Sequence, residues 1–133
     1  LSKLPIYYPV NGVIASKKFL AGNREVARGF LRAWVEGIKL FKTDKELSLK
    51  VLAKYLKIND RGVLDKSHEI YRPVYKKIPY GDRRAVKFAL DQMGREIPDL
   101  GRLNAEDFID NSILSELEKS GFIDQIYSET AKK

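Results

Sequence analysis

The chain has 133 residues, of which 44% are apolar and 32% are charged, a composition typical of one ordinary globular domain rather than of a disordered segment. It contains no cysteine, which excludes disulfides, thiolate metal sites and cysteine nucleophiles. No apolar run approaches the roughly 20 residues that a membrane-spanning helix needs.

The net charge of +7 is distributed unevenly along the chain. Residues 1–60 carry twelve Lys and Arg against five Asp and Glu, residues 61–102 carry ten against six, and residues 103–133 carry three against seven. A basic body can indicate an anionic partner. The cations, however, recur at helical spacing, as at Arg24, Arg28 and Arg32, and are not interleaved with aromatic residues. Solvated helix faces explain this pattern better than a surface that stacks bases, so nucleic acid is not expected as a partner.

Residues 1–16 are predicted to be extended, unlike the rest of the chain. The stretch from Leu4 to Ser16 contains two prolines, the turn-forming pair Asn11-Gly12 and several β-branched and aromatic residues. One or two short β-strands, with a turn or a crossing between them, are the expected form. No charged-then-apolar leader follows Leu1, so we expect a processed or shortened product.

From Lys17 onward the apolar residues adopt helical spacing, which predicts a helical body over residues 17–127 and a frayed tail over 128–133. The longest helix is expected to begin at an Asn23 cap. Gly29 and Gly37 within it suggest a close approach of another element. Its apolar stripe, expected to pack in the core, comprises Val26, Phe30, Trp34, Ile38 and Phe41.

Later helices carry recognisable start and stop signals. Thr43 to Glu46 has the pattern of a capping box, in which the threonine hydroxyl accepts a hydrogen bond from the glutamate amide. Asp60 and Asp82 are predicted to cap the next two helices. Pro73 is expected to end or kink the first of these, because proline lacks an amide donor and crowds the preceding turn.

The segment from Glu106 to Tyr127 carries the densest local signals. Asn111 or Ser112 is expected to cap a short amphipathic helix, and Gly121 to end it in the left-handed conformation. The whole pattern predicts a mainly α fold of about five to seven helices with one or two short N-terminal strands, in a single domain or fragment spanning residues 1–133.

Few residues of the chain form a pattern typical of a catalytic or metal-binding site. His68 is the only histidine, so no two-histidine metal site exists, and it is expected to be an exposed or half-buried helix residue. The carboxylates of Glu106, Asp107 and Asp110 lack the spacing of a calcium loop and are better explained as helix caps. No serine lies in a nucleophile-elbow pattern, and no glycine-rich phosphate loop is present. We therefore predict no enzymatic activity, no metal and no cofactor.

The order of several segments resembles the C-terminal part of the periplasmic substrate-binding proteins of ABC transporters, in the nitrate, sulfonate, taurine and thiamine-precursor group. The matching segments run over nearly the whole chain: Asn11–Ser16, Phe19-Leu20, Asn23 with Val26–Gly37, Leu52–Leu56, Asp107–Ser112 and Glu118–Asp124.

This resemblance implies the second half of a two-lobed α/β fold in which a small solute is held in the cleft between the lobes. The segment like Leu4 to Ser16 would return between lobes as a strand near that cleft. Tyr8, Asn11 and Gly12 are accordingly the predicted ligand-binding residues; the alternative is a surface turn with exposed tyrosines. The implied partners are a small-molecule solute, the ABC permease subunits, and either a missing N-terminal lobe or another copy of the chain. The implied location is periplasmic or extracytoplasmic.

Two classes of function follow from these observations. The first is a solute-binding component of an ABC importer, or a C-terminal fragment of one, that binds a small anionic or heterocyclic solute without chemistry. The second is a basic helical interaction module that binds nucleic acid or a protein partner. A strand at Val13 to Ala15 without neighbours would leave backbone hydrogen-bonding groups unpaired, so we expect it to pair with another chain or segment.

Overall fold

A computed structural model describes residues 12–128, and all of their regular structure is helical. Eight α-helices and one 3-10 helix lie within this part of the chain. They are α1 (Lys17–Gly22), α2 (Arg24–Thr43), α3 (Lys45–Leu56), α4 (Arg61–Tyr71), α5 (Arg83–Met93), α6 (Pro98–Gly101), the 3-10 helix (Ala105–Phe108), α7 (Ser112–Lys119) and α8 (Phe122–Ser128). The mainly α prediction is confirmed. The helix count exceeds five to seven because one-turn elements such as α6 lack the length that makes periodicity visible.

The predicted N-terminal strands are not seen in the part of the segment that the structure describes. Residues 12–16 form neither helix nor strand, and residues 4–11 lie outside the described residues. Ser16 Oγ accepts a hydrogen bond from the Phe19 amide at 3.1 Å, which begins α1.

The chain divides into two compact units, although no change in composition marks the division. The first unit contains residues 12–22 and 80–112. Here α5 packs against both α6 and the 3-10 helix. The α5–α6 contact is unusually close, because a Cβ placed on Gly94 would lie 2.6 Å from the Gly101 Cα. Asn111 Oδ1 accepts a hydrogen bond from the Gly81 amide at 2.8 Å, which ties the two ends of this unit together.

The second unit contains residues 23–79 and 113–128. Helix α3 packs between α2 and α4, and α2 also contacts α8. The buried apolar side chains of this unit come from all of its main helices: Val35, Ile38, Leu49, Leu64, Ile113, Leu114, Leu117 and Ile123. Arg24 and Arg28 of α2 both form ion pairs with Glu116 of α7, which hold α2 against that helix.

Lys42 and Arg72 connect the C-terminal ends of α2 and α4. The Lys42 ammonium donates to the carbonyl oxygens of Arg72 and Tyr75 at 2.9 and 2.7 Å. The Arg72 Nε in turn donates to the Lys42 carbonyl oxygen at 3.1 Å. These cations satisfy carbonyl groups at helix ends, where partners within the helix are lacking and positive charge is favoured.

The predicted caps at Asp60 and Asp82 are confirmed. Asp60 accepts a hydrogen bond from the Val63 amide at 3.1 Å, and Asp82 accepts one from the Arg84 amide at 2.9 Å. The predicted capping box at Thr43 is wrong by one residue. Asp44 caps α3 by accepting from the Leu47 amide, while the Thr43 hydroxyl donates to the Lys39 carbonyl oxygen within α2.

Gly121 ends α7 as predicted, with a left-handed φ of 76°. Ile123, two residues later, is buried at 4% exposure and begins the return to the core. The start of α7 differs from the prediction, because Asn111 binds Gly81 and Asp110 accepts from the Ser112 amide. Asp110 therefore supplies the first side-chain cap of this helix.

Gly121→Ala is expected to destabilise the second unit by about 1 kcal/mol, because alanine is disfavoured at positive φ. No neighbouring atom lies within 4 Å of the added methyl group, so the cost is purely conformational. Gly37→Ala is the control, since Gly37 lies in the same unit, a Cβ there also meets no neighbouring atom of residues 12–128, and its φ is not left-handed. Urea unfolding of both variants measures the difference; equal stability would contradict the assignment.

Candidate functional site

The predicted ligand-binding residues are only partly described by the structure. Tyr8 and Asn11 lie outside the described residues, so their role stays a prediction. Gly12 is exposed, and no atom of residues 12–128 other than its own neighbours in sequence lies within 4 Å of the position that a Cβ would occupy. The described part of the chain therefore leaves the space beside its backbone open.

Apolar side chains follow Gly12 in a stretch with no regular structure. Val13 is 48% exposed and Ile14 is 97% exposed. No hydrogen bond is formed by the backbone of residues 13–15 with the described part of the chain. A neighbouring strand would remove the exposed Val13 and Ile14 side chains from water and could pair with the backbone of residues 13–15.

An open concavity of about 400 Å³ lies along α5 in the first unit. Its lining consists of Arg83, Arg84, Lys87, Phe88 and Asp91. Three cations beside an aromatic ring could attract an anion. The sequence analysis predicted the Asp82 cap of this helix but not this surface, although Arg83, Arg84 and Lys87 recur at helical spacing.

The charges of this concavity are neutralised within the first unit. Arg83 Nε lies 2.9 Å from Glu106 Oε1, and Arg84 Nη2 lies 2.8 Å from Asp82 Oδ2. Lys87 forms an ion pair with Asp91 one helical turn further on. An anion would have to compete with these carboxylates, so the α5 concavity is a weak candidate for a solute site.

His68 is buried, with only 4% exposure, which corrects the expectation of an exposed or half-buried residue. Its Nε2 lies 2.8 Å from the Phe41 carbonyl oxygen, so Nε2 donates a proton to this bond. The Phe41 ring packs against the imidazole at 4.9 Å and against the Tyr75 ring at 5.5 Å. With one nitrogen committed to the backbone and aromatic rings around it, His68 connects α2 to α4 as part of the core.

Four charged residues connect α3 to α4. Arg61 forms a bidentate hydrogen bond with Glu46, which lowers the pKa of that carboxyl group. Lys45 Nζ lies 2.7 Å from Asp65 Oδ1, and this contact lowers the pKa of Asp65, with Arg61 adding to the effect. The same arrangement raises the pKa of Arg61. These are exposed structural ion pairs at the surface of the α3–α4 contact.

The stability of the second unit is expected to fall as the pH drops below about 4. A carboxyl group whose pKa is lower in the folded state contributes stability above its unfolded pKa, and the contribution is lost as the pH falls through the folded pKa. The double variant Glu46→Gln/Asp65→Asn should therefore show a flatter stability profile between pH 5 and 2. Asp124→Asn is the control, because Asp124 is an exposed carboxylate of the same unit and has no ion-pair partner among residues 12–128. Thermal unfolding across this pH range tests the difference; parallel profiles would contradict it.

No group of three or more His, Asp or Glu side chains within residues 12–128 is arranged to hold a metal ion. Burial raises the pKa of Tyr127, whose ring lies 4.7 Å from the Lys77 ammonium and whose hydroxyl has no hydrogen-bond partner among residues 12–128. None of the helices that the structure describes is long and apolar enough to cross a membrane.

Comparison of the chain with protein-family models, with curated proteins and with solved structures gave no match.

Proposed function

We propose that the chain is the C-terminal part of a solute-binding component of an ABC importer and binds a small anionic or heterocyclic solute without chemistry. The observation that carries this proposal is the order of its sequence segments, from Asn11–Ser16 through the long helix to the stop at Gly121. Each segment alone resembles the family only loosely, whereas the order and spacing of all the segments make the resemblance more specific.

In this proposal, residues 13–15 form a strand only when a neighbouring strand is supplied. The exposed Val13 and Ile14 side chains, and a backbone that forms no hydrogen bond with residues 12–128, are compatible with such an arrangement. The neighbouring strand would come from the N-terminal lobe of a two-lobed α/β fold or from another copy of the chain. The helical units would then act as scaffold, with Tyr8, Asn11 and Gly12 at the cleft.

The basic character of the chain gives less support to an interaction module for nucleic acid. In the described part of the chain, many of the cations are paired with carboxylates, as Arg28 is with Glu116 and Arg61 with Glu46. Phosphate binding draws on cations that are free to replace released counterions.

Ligand-induced stabilisation tests the proposal. The full-length gene product and the 133-residue chain are heated with nitrate, an alkanesulfonate or a hydroxymethyl-pyrimidine, each in turn. Binding at 100 times Kd should add about 2.7 kcal/mol to the free energy of unfolding. The double variant Tyr8→Ala/Asn11→Ala should lose this stabilisation, whereas Tyr55→Ala should retain it, because Tyr55 is an exposed tyrosine on α3 in the second unit.

Two results would contradict the proposal. One is the absence of stabilisation of the full-length gene product by any of these solutes. The other is binding of DNA or RNA with an affinity that falls steeply with salt, which would favour the interaction module instead.

A further inference from the structure

Helix α2 presents an uncharged apolar face to solvent along most of its length. Each residue of an α-helix is rotated by about 100° from the one before it. Viewed down the axis of α2, six exposed residues therefore lie on one side of the helix, within an arc of about 100°. Val26 is 62% exposed, Phe30 is 50% exposed and Leu40 is 41% exposed. The opposite side of the helix buries Val35 and Ile38. The α2 face, as we call it, consists of Val26, Gly29, Phe30, Ala33, Gly37 and Leu40.

The two glycines of the α2 face have no packing role within the described chain. A Cβ added to Gly29 or Gly37 would meet no neighbouring atom within 4 Å. Glycine inside a helix is less favourable than alanine, so its use here carries a cost without an internal benefit. Small residues on a helix surface allow a second backbone to approach closely from outside.

Five of the six residues of the α2 face are symmetric about Ala33, whereas the position related to Phe30 is the charged Glu36. Gly29 and Gly37 lie four residues before and after it, and Val26 and Leu40 lie seven residues before and after it. A two-fold axis through Ala33 would place two copies of α2 antiparallel. Gly29 of each copy would then face Gly37 of the other, and Val26 would face Leu40. This reciprocity is the condition for a closed, two-fold symmetric dimer.

The charges beside the α2 face fit the same arrangement. They lie on one flank of the face and alternate in sign along the helix: Glu25, Arg32, Glu36 and Lys39. In an antiparallel pair the same flank of each helix meets, so Arg32 would lie near both Glu36 and Arg32 of the second copy, and Glu25 near its Lys39. Within residues 12–128, Glu36 and Lys39 have no ion-pair partner, and Arg32 contacts the Phe122 ring rather than a carboxylate. Glu25 lies 3.4 Å from Arg28 of its own helix, so its contact with Lys39 would be an additional one. A parallel pair would instead place these charges against the flank that carries Trp34 and Phe41.

We infer that the α2 face is a self-association surface on which a second copy of the chain docks antiparallel about Ala33. The inference concerns a surface apart from the proposed solute site and stands whether or not the chain binds a solute. One helix face is smaller than the roughly 1,200–2,000 Å² that stable complexes typically bury, so we expect a weak dimer that forms at high protein concentration.

Sedimentation over a concentration series tests the association. The unmodified chain should change from monomer to dimer as its concentration rises. Ala33→Glu should abolish the dimer, because it places two like charges together on the two-fold axis. Val51→Glu is the matched control, since Val51 is a 45% exposed apolar residue on another helix of the same unit. A chain that stays monomeric at millimolar concentration, or a dimer lost equally in Val51→Glu, would overturn the inference.

Charge exchange tests the pairing of the flanks. Glu36→Lys and Arg32→Glu should each weaken dimerisation, because each sets like charges against one another. A mixture of these two variants should recover the dimer, since every charged contact is then between opposite signs. Circular dichroism of each variant confirms that the helices remain. Failure of the mixture to associate more strongly than either variant alone would overturn the antiparallel register.

The absence of cysteine from the chain permits a direct test of orientation. Gly29→Cys and Gly37→Cys are prepared separately, and each is treated with a short thiol crosslinker. Crosslinked dimers should accumulate several-fold faster in the mixture than in either variant alone. Equal rates in all three samples would overturn the antiparallel arrangement. The Ala33→Cys variant should crosslink with itself, and failure to do so faster than Val51→Cys would also overturn it.

Discussion

Replacing Gly94 by alanine should destabilise the first unit by about 3 kcal/mol, which is near the upper end of what overpacking costs. The added Cβ would lie 2.6 Å from the Gly101 Cα and 2.7 Å from the Gly101 amide nitrogen. Both contacts are to backbone, so no side-chain rotation can relieve them. Gly94 itself has a right-handed backbone conformation, in which alanine would otherwise be the better residue. Helix propensity alone predicts that Gly94→Ala stabilises the protein, whereas the steric contact makes the substitution destabilising.

Gly101→Ala is the matched control for this effect. Its added Cβ would lie 3.3 Å from the Gly94 Cα, a contact that a shift of a few tenths of an ångström relieves. Hydrogen exchange of the α5 and α6 amides measures the loss in the first unit directly. Equal protection in wild type and Gly94→Ala, or a greater loss in Gly101→Ala, would show that α5 and α6 do not approach as described.

Leu64→Ala should destabilise the second unit by about 2–5 kcal/mol. Leu64 is 5% exposed and lies on the same face of α4 as His68, which follows it by one helical turn. Truncation of Leu64 therefore removes buried contacts and leaves a cavity. Val63 is its immediate neighbour but is 47% exposed. Val63→Ala removes little buried surface and replaces a β-branched helix residue by a better helix former, so a change within about 0.5 kcal/mol is expected.

Urea unfolding followed by the fluorescence of Trp34 measures both α4 variants. Trp34 is the only tryptophan in the chain and belongs to the second unit, so its signal reports that unit. Comparable losses in Leu64→Ala and Val63→Ala would mean that α4 buries a different face. The choice of buried face is also what places His68 inside the protein.

The features that sequence reasoning predicted correctly are local ones. Asp60, Asp82 and Gly121 act on backbone groups a few residues away, so their residue types and positions are sufficient to define them. The capping error at Thr43 has the same origin. Two adjacent residues could both cap α3, and α2 extends far enough to include the first of them.

The features that sequence reasoning missed depend on distant parts of the chain. Periodicity placed Val26 and Phe30 on the apolar stripe of α2 but could not show that this part of the stripe is exposed. Gly29 and Gly37 were expected to permit a close approach, yet within the described chain the close glycine contact is between Gly94 and Gly101. His68 is buried because Phe41, far from it in sequence, supplies a hydrogen-bond acceptor and a ring.

The candidate solute site was predicted from residue types and family resemblance, and Tyr8, Asn11 and Gly12 all remain predictions as ligand-binding residues. Its third member, Gly12, borders the exposed Val13 and Ile14. Sequence alone could not show that these side chains lack a cover, because an apolar strand pattern is the same whether or not its neighbour is present.

The link between Lys42 and Arg72 has a consequence for chemical reactivity. An amine-reactive acylating reagent needs a free, deprotonated lysine, whereas the Lys42 nitrogen is held by two carbonyl oxygens. Lys42 should therefore be among the last lysines labelled in the native protein, well after Lys50, which is exposed on α3. Acylation of Lys42 would remove the charge that holds the ends of α2 and α4 together. The rate of Lys42 labelling, measured by mass spectrometry, would then report how often the hydrogen bonds between the ends of α2 and α4 break.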